Sequence, residues 1–265
     1  MPAHFLQEIK RNRHLIAHLF KSELTDRYAG SVFGYGWMIL QPLALFGLYG
    51  FVFSVILGVR TVGRFTQTPF ALWLLAGLIP WFFFIEALSK AVRSVTGNGQ
   101  LVTKSMFAPE ALPISAILGA VVAHGVTLLL FIPAGFMFGL KPGWGLLGLP
   151  VVMLPMMMYT IAWGYVLSAF NVYIRDLEQL IAIVLQFLFF LTPIAYPIQM
   201  APEWATRFLV LNPHYYFIDA YRQALLLGVL PNGLVLTTMT AASALFLILS
   251  RLIFLKLSQD FADLL

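Results

Sequence analysis

Six stretches of this chain are apolar for roughly twenty residues each, the length a helix needs to cross the hydrocarbon core of a bilayer. They cover about residues 37–58, 68–88, 111–140, 145–170, 177–196 and 234–255. The third is long enough to tilt, or to be broken at Pro133. Runs of this length leave too little polar chain to wrap them in water. Composition decides the point: 60% of residues are hydrophobic and 10% charged, where a soluble domain carries about 25% charged residues. The expectation is an all-α membrane protein with six transmembrane helices.

An even number of spans puts both ends of the chain on one side. Lys and Arg concentrate on cytoplasmic segments. With the N-terminus inside, eleven of the 16 Lys and Arg residues fall on the inner side and five outside, so N-in and C-in is the better reading. The net charge of +5 is then a matter of membrane orientation, and nucleic-acid binding is not needed to explain it. Residues 1–30 are charged and amphipathic, unlike a cleavable leader, so the first span is expected to serve as both signal and anchor. There is no cysteine, which excludes disulfides, thiolate metal sites and a thiol nucleophile.

Two segments are neither span nor simple loop. Residues 2–22 place Phe5, Ile9, Ile16 and Leu19 on one helical face, with Lys10, Arg11 and Arg13 elsewhere, a pattern that suits a helix lying in the cytoplasmic interface. Residues 197–232 are too polar to span and too apolar for an ordinary loop. Within them Asn212-Pro213 reads as a helix start, and the helix it opens ends at Gly228. Short helices that dip into the membrane and return are expected here, because irregular backbone at that depth needs protein or water around it.

Residues 97–105, GNGQLVTKS, look at first like a phosphate-binding loop. That motif needs glycine directly before its lysine, on a loop fed by a strand. Here Thr103 precedes Lys104, and the stretch joins two spans. There is no dinucleotide fingerprint, nucleophile elbow or zinc-protease motif, and no Asp-x-Asp pair. The chain is read as not an enzyme. Intramembrane ionisable groups are functional suspects, but Glu86 is spaced to pair with Lys90 along one helix face. His124 is either a neutral histidine bonded between helices or part of a transport path. Neither belongs to the dense acid and histidine chain of a proton-driven pump, so the energy source is expected outside this chain.

The order of features resembles the ABC-2 type permease of polysaccharide ABC exporters. Before and within span one, Arg27-Tyr28, Ser31, Gly34, Trp37, Gln41 and Pro42 match the family pattern, with Asp26 directly before the arginine. After span two, Asn98, Leu101, Val102, Lys104, Phe107, Glu110, Leu112 and Pro113 fall in place, although Ala108 pushes the proline to Pro109. After span four come Asn171, Val172, Arg175, Asp176 and Leu177, and TPIAYP and LNPHYYFIDAYRQALL follow.

The resemblance implies one permease domain over 1–265, with an interface helix in 1–30, a cytoplasmic coupling segment in 90–110 and a re-entrant outer segment in 197–232. It implies a homodimer paired with two nucleotide-binding ATPase subunits, in the bacterial inner membrane. ATP and Mg would be used by the partner subunit, with no cofactor in this chain. The cargo would be a lipid-linked polysaccharide such as O-antigen, capsule or teichoic acid; a permease for a drug, a lipid or haem would share fold and partner. Gln100, Leu101, Val102, Lys104, Phe107, Arg175 and Asp176 would couple to the ATPase. Arg175-Asp176 reads equally well as a local salt-bridged helix start. Arg27, Tyr28 and Trp37 would lie where substrate enters. Sugar rings stack on aromatic side chains with a polar tip, so Trp73, Trp81, Phe83, Tyr159, Trp163, Tyr165, Tyr215 and Tyr216 are candidates for the path. Aromatic belts at the two interfaces would account for them as well.

Overall fold

The computed structural model describes residues 13–26, 30–58, 60–104, 109–137, 139–140 and 143–265. In chain order the helices are α1 (Arg13–Asp26), α2 (Trp37–Gly50), α3 (Phe70–Val92), α4 (Gly99–Lys104), α5 (Ala111–Met137), α6 (Leu149–Tyr173), α7 (Leu177–Phe190), α8 (Glu203–Leu209), α9 (Pro213–Arg222), α10 (Gly233–Leu257) and α11 (Phe261–Leu264). No strand occurs among the described residues.

The second span is the axis of the bundle. About its apolar stretch, 78% of residues are buried, against 6% for the first span and 17% for the last. Helix α3 packs on α5, α6 and α9, while α10 lies along α6 and α1 along α5. A continuous core surrounds α3, built on Trp73, Leu74, Leu78, Trp81 and Phe84 and met by Phe217 and Tyr221 of α9. A second, smaller core closes one end of the bundle, where Val95, Leu112, Tyr165, Val172, Phe254 and Phe261 meet. The ends of α3, α6 and α10 and the start of α5 converge there, so this is the end to which the positive-inside reading assigns the cytoplasm.

Proline sits inside α2 (Pro42), α3 (Pro80), α5 (Pro133) and α6 (Pro155). Each removes one helical donor, a loss that neighbouring helices make tolerable in membrane bundles. Helix α5 runs unbroken through Pro133 to Met137, so the third span keeps its length.

Among the described residues, five helical stretches are long and apolar enough to cross a bilayer. The fifth sequence-predicted span differs from expectation: α7 has 14 residues, about 21 Å at 1.5 Å per residue, short of a hydrocarbon core about 30 Å thick. Pro193 ends it, because the residue before a proline avoids helical backbone, and the chain turns through 191–196.

Between α7 and α10 lie α8 and α9. Asn212 caps α9 by accepting from the His214 N–H at 3.0 Å, with Pro213 following it, the start expected from sequence. Helix α9 is embedded: His214, Phe217, Ile218, Tyr221 and Arg222 are all buried. A five-residue π turn (Gln223–Leu227) carries the chain to Gly228, whose φ of +64° only glycine adopts readily. There the backbone meets the turn before α6. Gly145 N–H donates to the Gly228 carbonyl at 2.8 Å, and a Cβ on Gly145 would stand 2.5 Å from the Gly228 carbonyl carbon.

Candidate functional site

The inner end carries the surface expected to receive an ATPase. Helix α4 follows a single turn (Thr96–Asn98) that Asn98 steadies by donating from Nδ2 to the Ser94 carbonyl at 2.8 Å. Gln100 and Leu101 of α4 are exposed, whereas Val102 turns inward onto the smaller core. Lys104 is the last residue of α4; its side chain, and Phe107, lie outside the described residues, as do Arg27 and Tyr28. Trp37 opens α2, partly exposed, with its ring edge-on to Phe33 at 5.6 Å. Arg175 and Asp176 are exposed on the turn into α7. Asp176 holds the N-cap position, yet its side chain accepts no helix N–H. The ion pair joining this turn to α3 is Arg93–Glu178 at 3.5 Å, and Lys90 pairs with Glu86 at 3.5 Å along α3, as the spacing predicts.

Deeper in the inner end, Arg251 of α10 grips Glu110 with Nε at 2.9 Å and Nη2 at 3.2 Å. Glu110 is 4% exposed. A carboxylate at that depth is tolerable only when paired and hydrogen-bonded. The pair fixes the start of α5, just beyond the coupling segment, to the last span.

The middle of the molecule separates the predicted aromatics into two sets. Trp73, Trp81, Phe83 and Tyr165 are core here, each under 5% exposed. Tyr159 and Trp163 line a groove of about 550 Å³ between α3, α6, α7 and the α8–α9 turn, with Phe84, Leu188 and His214. Tyr159 also borders a second groove, of about 490 Å³, with Tyr216, Phe217 and Phe246. The His214 ring is enclosed by Phe84 at 4.2 Å, Tyr159 at 5.3 Å and Trp81 at 5.6 Å. His124 meets Tyr221 Oη at 2.9 Å, which makes it a bond between α5 and α9.

At the outer end Arg222, 4% exposed, lies with its guanidinium carbon 3.4 Å from the centre of the Trp73 ring. Its Nε donates to the Trp73 carbonyl at 3.1 Å, Nη1 to Pro193 at 3.1 Å and Nη2 to Ile194 at 2.7 Å. One planar fork thus joins α9, α3 and the turn after α7, giving the Pro193 and Ile194 carbonyls of that turn a donor. Gly77 makes the space: a Cβ there would come 2.5 Å from Arg222 Nη2. Beside it Arg64, from the segment between α2 and α3, forms an ion pair with Asp219 of α9, and Gln223 Nε2 donates to the same carboxylate at 2.9 Å. Tyr215 lines a small cavity with Arg64, Asp219 and Arg222.

The ABC-2 type transporter family matches residues 14–226, four-fifths of the chain, running from the second residue of α1 past the Arg222 anchor. The chain belongs to the ABC-2 type transporter family. Among curated relatives of this ABC-2 protein is the O-antigen export system permease protein RfbA of Myxococcus xanthus. It is 28% identical over 260 residues, covering 97% of this chain and 98% of that protein. The protein of the same name from Klebsiella pneumoniae is 28% identical over 253 residues, with 95% of each covered. The polysialic acid transport protein KpsM of Escherichia coli is 24% identical over 223 residues, 81% of this chain and 82% of that one. An ABC-2 chain of this kind is a multi-pass membrane transport subunit, not an enzyme.

Sequence reasoning on this ABC-2 protein missed the Arg222 anchor and the Arg251–Glu110 pair. Both arginines could be counted from the sequence, one as an outer and one as an inner cation. A signal for Arg222 did exist: an arginine inside an otherwise apolar helix must be paired or hydrogen-bonded.

Proposed function

We propose that this chain is the membrane-spanning permease subunit of an ABC transporter that exports a lipid-linked polysaccharide, of the O-antigen kind, across the bacterial inner membrane. What carries this reading is the near full-length similarity to relatives whose names join O-antigen export and polysialic acid transport, with the family match beneath them. The absence of a phosphate-binding motif in this sequence agrees with ATP being hydrolysed, with Mg, in a partner subunit.

In this reading 1–265 is one permease domain, N-in and C-in, with six crossings. Helix α7 and the turn after it make the fifth, and 197–232 form the re-entrant outer segment. Two copies associate through spans one and five. Supporting this, α2 and α7 leave Leu43, Leu48, Leu180, Ile183 and Phe187 about half exposed or more among the described residues. The lipid-linked glycan enters from the inner leaflet beside Arg27, Tyr28 and Trp37. ATP binding closes the ATPase pair, and Gln100, Leu101, Lys104 and Phe107 with Arg175 and Asp176 receive that motion. Spans one and five part, and the glycan moves outward past Tyr159, Trp163, Tyr215 and Tyr216. Each groove of the single chain, about 550 and 490 Å³, has the volume of a small-molecule pocket. A polysaccharide therefore needs a path completed by the second copy.

The test is to delete this chain from its host and to restore it with its ATPase. Loss of surface polysaccharide, with lipid-linked glycan accumulating on the inner face, is the expected result. Unchanged surface polysaccharide on deletion would refute the cargo and favour a drug, lipid or haem.

A further inference from the structure

Residues 258–265 leave α10 and turn back beneath the inner end of the bundle. Phe261 is fully buried there, with its ring 5.6 Å from Phe254 and 6.4 Å from Tyr173. Tyr173 Oη, at the end of α6, donates to the Leu257 carbonyl at 3.0 Å and has Asp260 Oδ2 at 3.3 Å. The smaller core that encloses Phe261 also receives Val102 of α4 and Leu19 of α1. Helix α11 packs directly on α4, and a Cβ built on Gly99 would lie 3.5 Å from Leu265 Cβ.

Helix α4 has six residues, far fewer than an isolated helix needs to persist, so its position is set by what it packs on. On one side that is the permease core through Val102. On another it is the 258–265 segment, itself tied to α6 and α10. A push on α4 therefore has a direct mechanical route to the last two long spans, besides the covalent route into α3 and α5.

We propose that residues 258–265 brace the coupling helix: they hold α4 against the inner ends of α6 and α10 and move with it as one body, with Phe261 and Leu265 as the positioning residues. The proposal rests on α4 being the coupling element.

The chain contains no cysteine, so an installed pair supplies its only thiols. With Gly99→Cys and Leu265→Cys in the complete complex with its ATPase, the 3.5 Å spacing lies within the Cβ–Cβ range of a disulfide. Mild oxidant in membranes should close the bond within one chain, protecting both thiols from a maleimide label. Export by oxidised and reduced samples of this variant should then agree. Thiols that stay reactive, a bond formed between two copies, or export lost on oxidation and restored by reductant would each overturn the brace.

Phe261→Ala should lower glycan exported per ATP hydrolysed by roughly twofold to thirtyfold, the range expected along a coupling network. The ATPase should still co-purify, and Phe261→Leu should restore most of the loss. A wild-type ratio for Phe261→Ala at wild-type protein level would refute the role of Phe261. If Phe261→Ala fails to accumulate, the disulfide decides. Leu101→Glu isolates the underlying reading: ATPase binding and export unaffected by it would remove the coupling helix itself, whatever the disulfide does.

Discussion

Replacing Gly77 by alanine should destabilise this protein, although alanine is the better helix former. In an unconstrained helix interior the exchange gains about 0.5–1 kcal/mol. At this position the new Cβ would meet Arg222 Nη2 at 2.5 Å, Cζ at 3.1 Å and Nε at 3.2 Å. The guanidinium is held between the Trp73 ring and three carbonyls, so it can give way only by breaking at least one of those bonds. A hydrogen bond to a charged group contributes about 1.5–3 kcal/mol, leaving a net loss of about 1–2 kcal/mol. For a chain near this size that lowers Tm by roughly 2–8 °C. Arg222→Ala is harsher. It leaves the buried Pro193 and Ile194 carbonyls without their donor, about 1–3 kcal/mol each, and forfeits a desolvated cation–π contact of about 2 kcal/mol. About 4 kcal/mol is therefore the least expected. The decisive comparison is the cycle. In the Arg222→Ala background Gly77→Ala has nothing to displace and should become neutral or stabilising by up to about 1 kcal/mol. The assay is the apparent melting temperature of the four proteins in one detergent, read by fluorescence-detected size exclusion. A loss from Gly77→Ala that is the same in both backgrounds would refute the anchor.

Arg251→Met should cost about 3–5 kcal/mol by leaving Glu110 charged and buried, and adding Glu110→Leu should recover most of it; the same melting assay on the single and double variants checks this. Gly228→Ala should cost about 2 kcal/mol or more, since it forces a side chain into left-handed backbone and against the Gly143 Cα, 2.7 Å from its Cβ; a melting temperature within about 2 °C of wild type, which corresponds to no more than about 1 kcal/mol, would contradict that. Lys104→Glu with Phe107→Glu should abolish co-purification with the ATPase while membrane level and melting stay at wild type, and retained binding with normal export would remove both residues from the coupling surface. Tyr221→Phe should cost about 1 kcal/mol through loss of the His124 bond, measured as a melting shift that disappears when His124 is also replaced by leucine.

Local patterns carried much of this fold. Apolar runs of sufficient length marked the long helices, and Asn212-Pro213 and Gly228 marked the bounds of the embedded segment, because capping and left-handed backbone are short-range properties of residue type. That residues 99–104 lie between two long helices was legible for the same reason, as a polar, glycine-bounded stretch between two apolar runs. The fifth apolar run outlasts its helix, since hydropathy counts Thr192-Pro193 as part of the run while the proline stops the helix. The aromatic residues could not be sorted from sequence. In a membrane bundle both the packed interior and the lipid face are apolar, so Trp73 and Trp163 have equivalent surroundings in sequence and different ones in space.

By itself the sequence determined that this chain lives in a bilayer, where its Lys and Arg residues fall along it, and the family whose motifs it carries. All three are properties of runs and spacings that need no knowledge of neighbours. Only the tertiary structure decided what Arg222, Arg251 and Phe261 do. Arg222 finds its partners 149, 29 and 28 residues away, and Arg251 finds Glu110 at a distance of 141. A buried charge takes whichever acceptors packing brings within 3 Å or so, and that depends on how helices far apart in the chain come together.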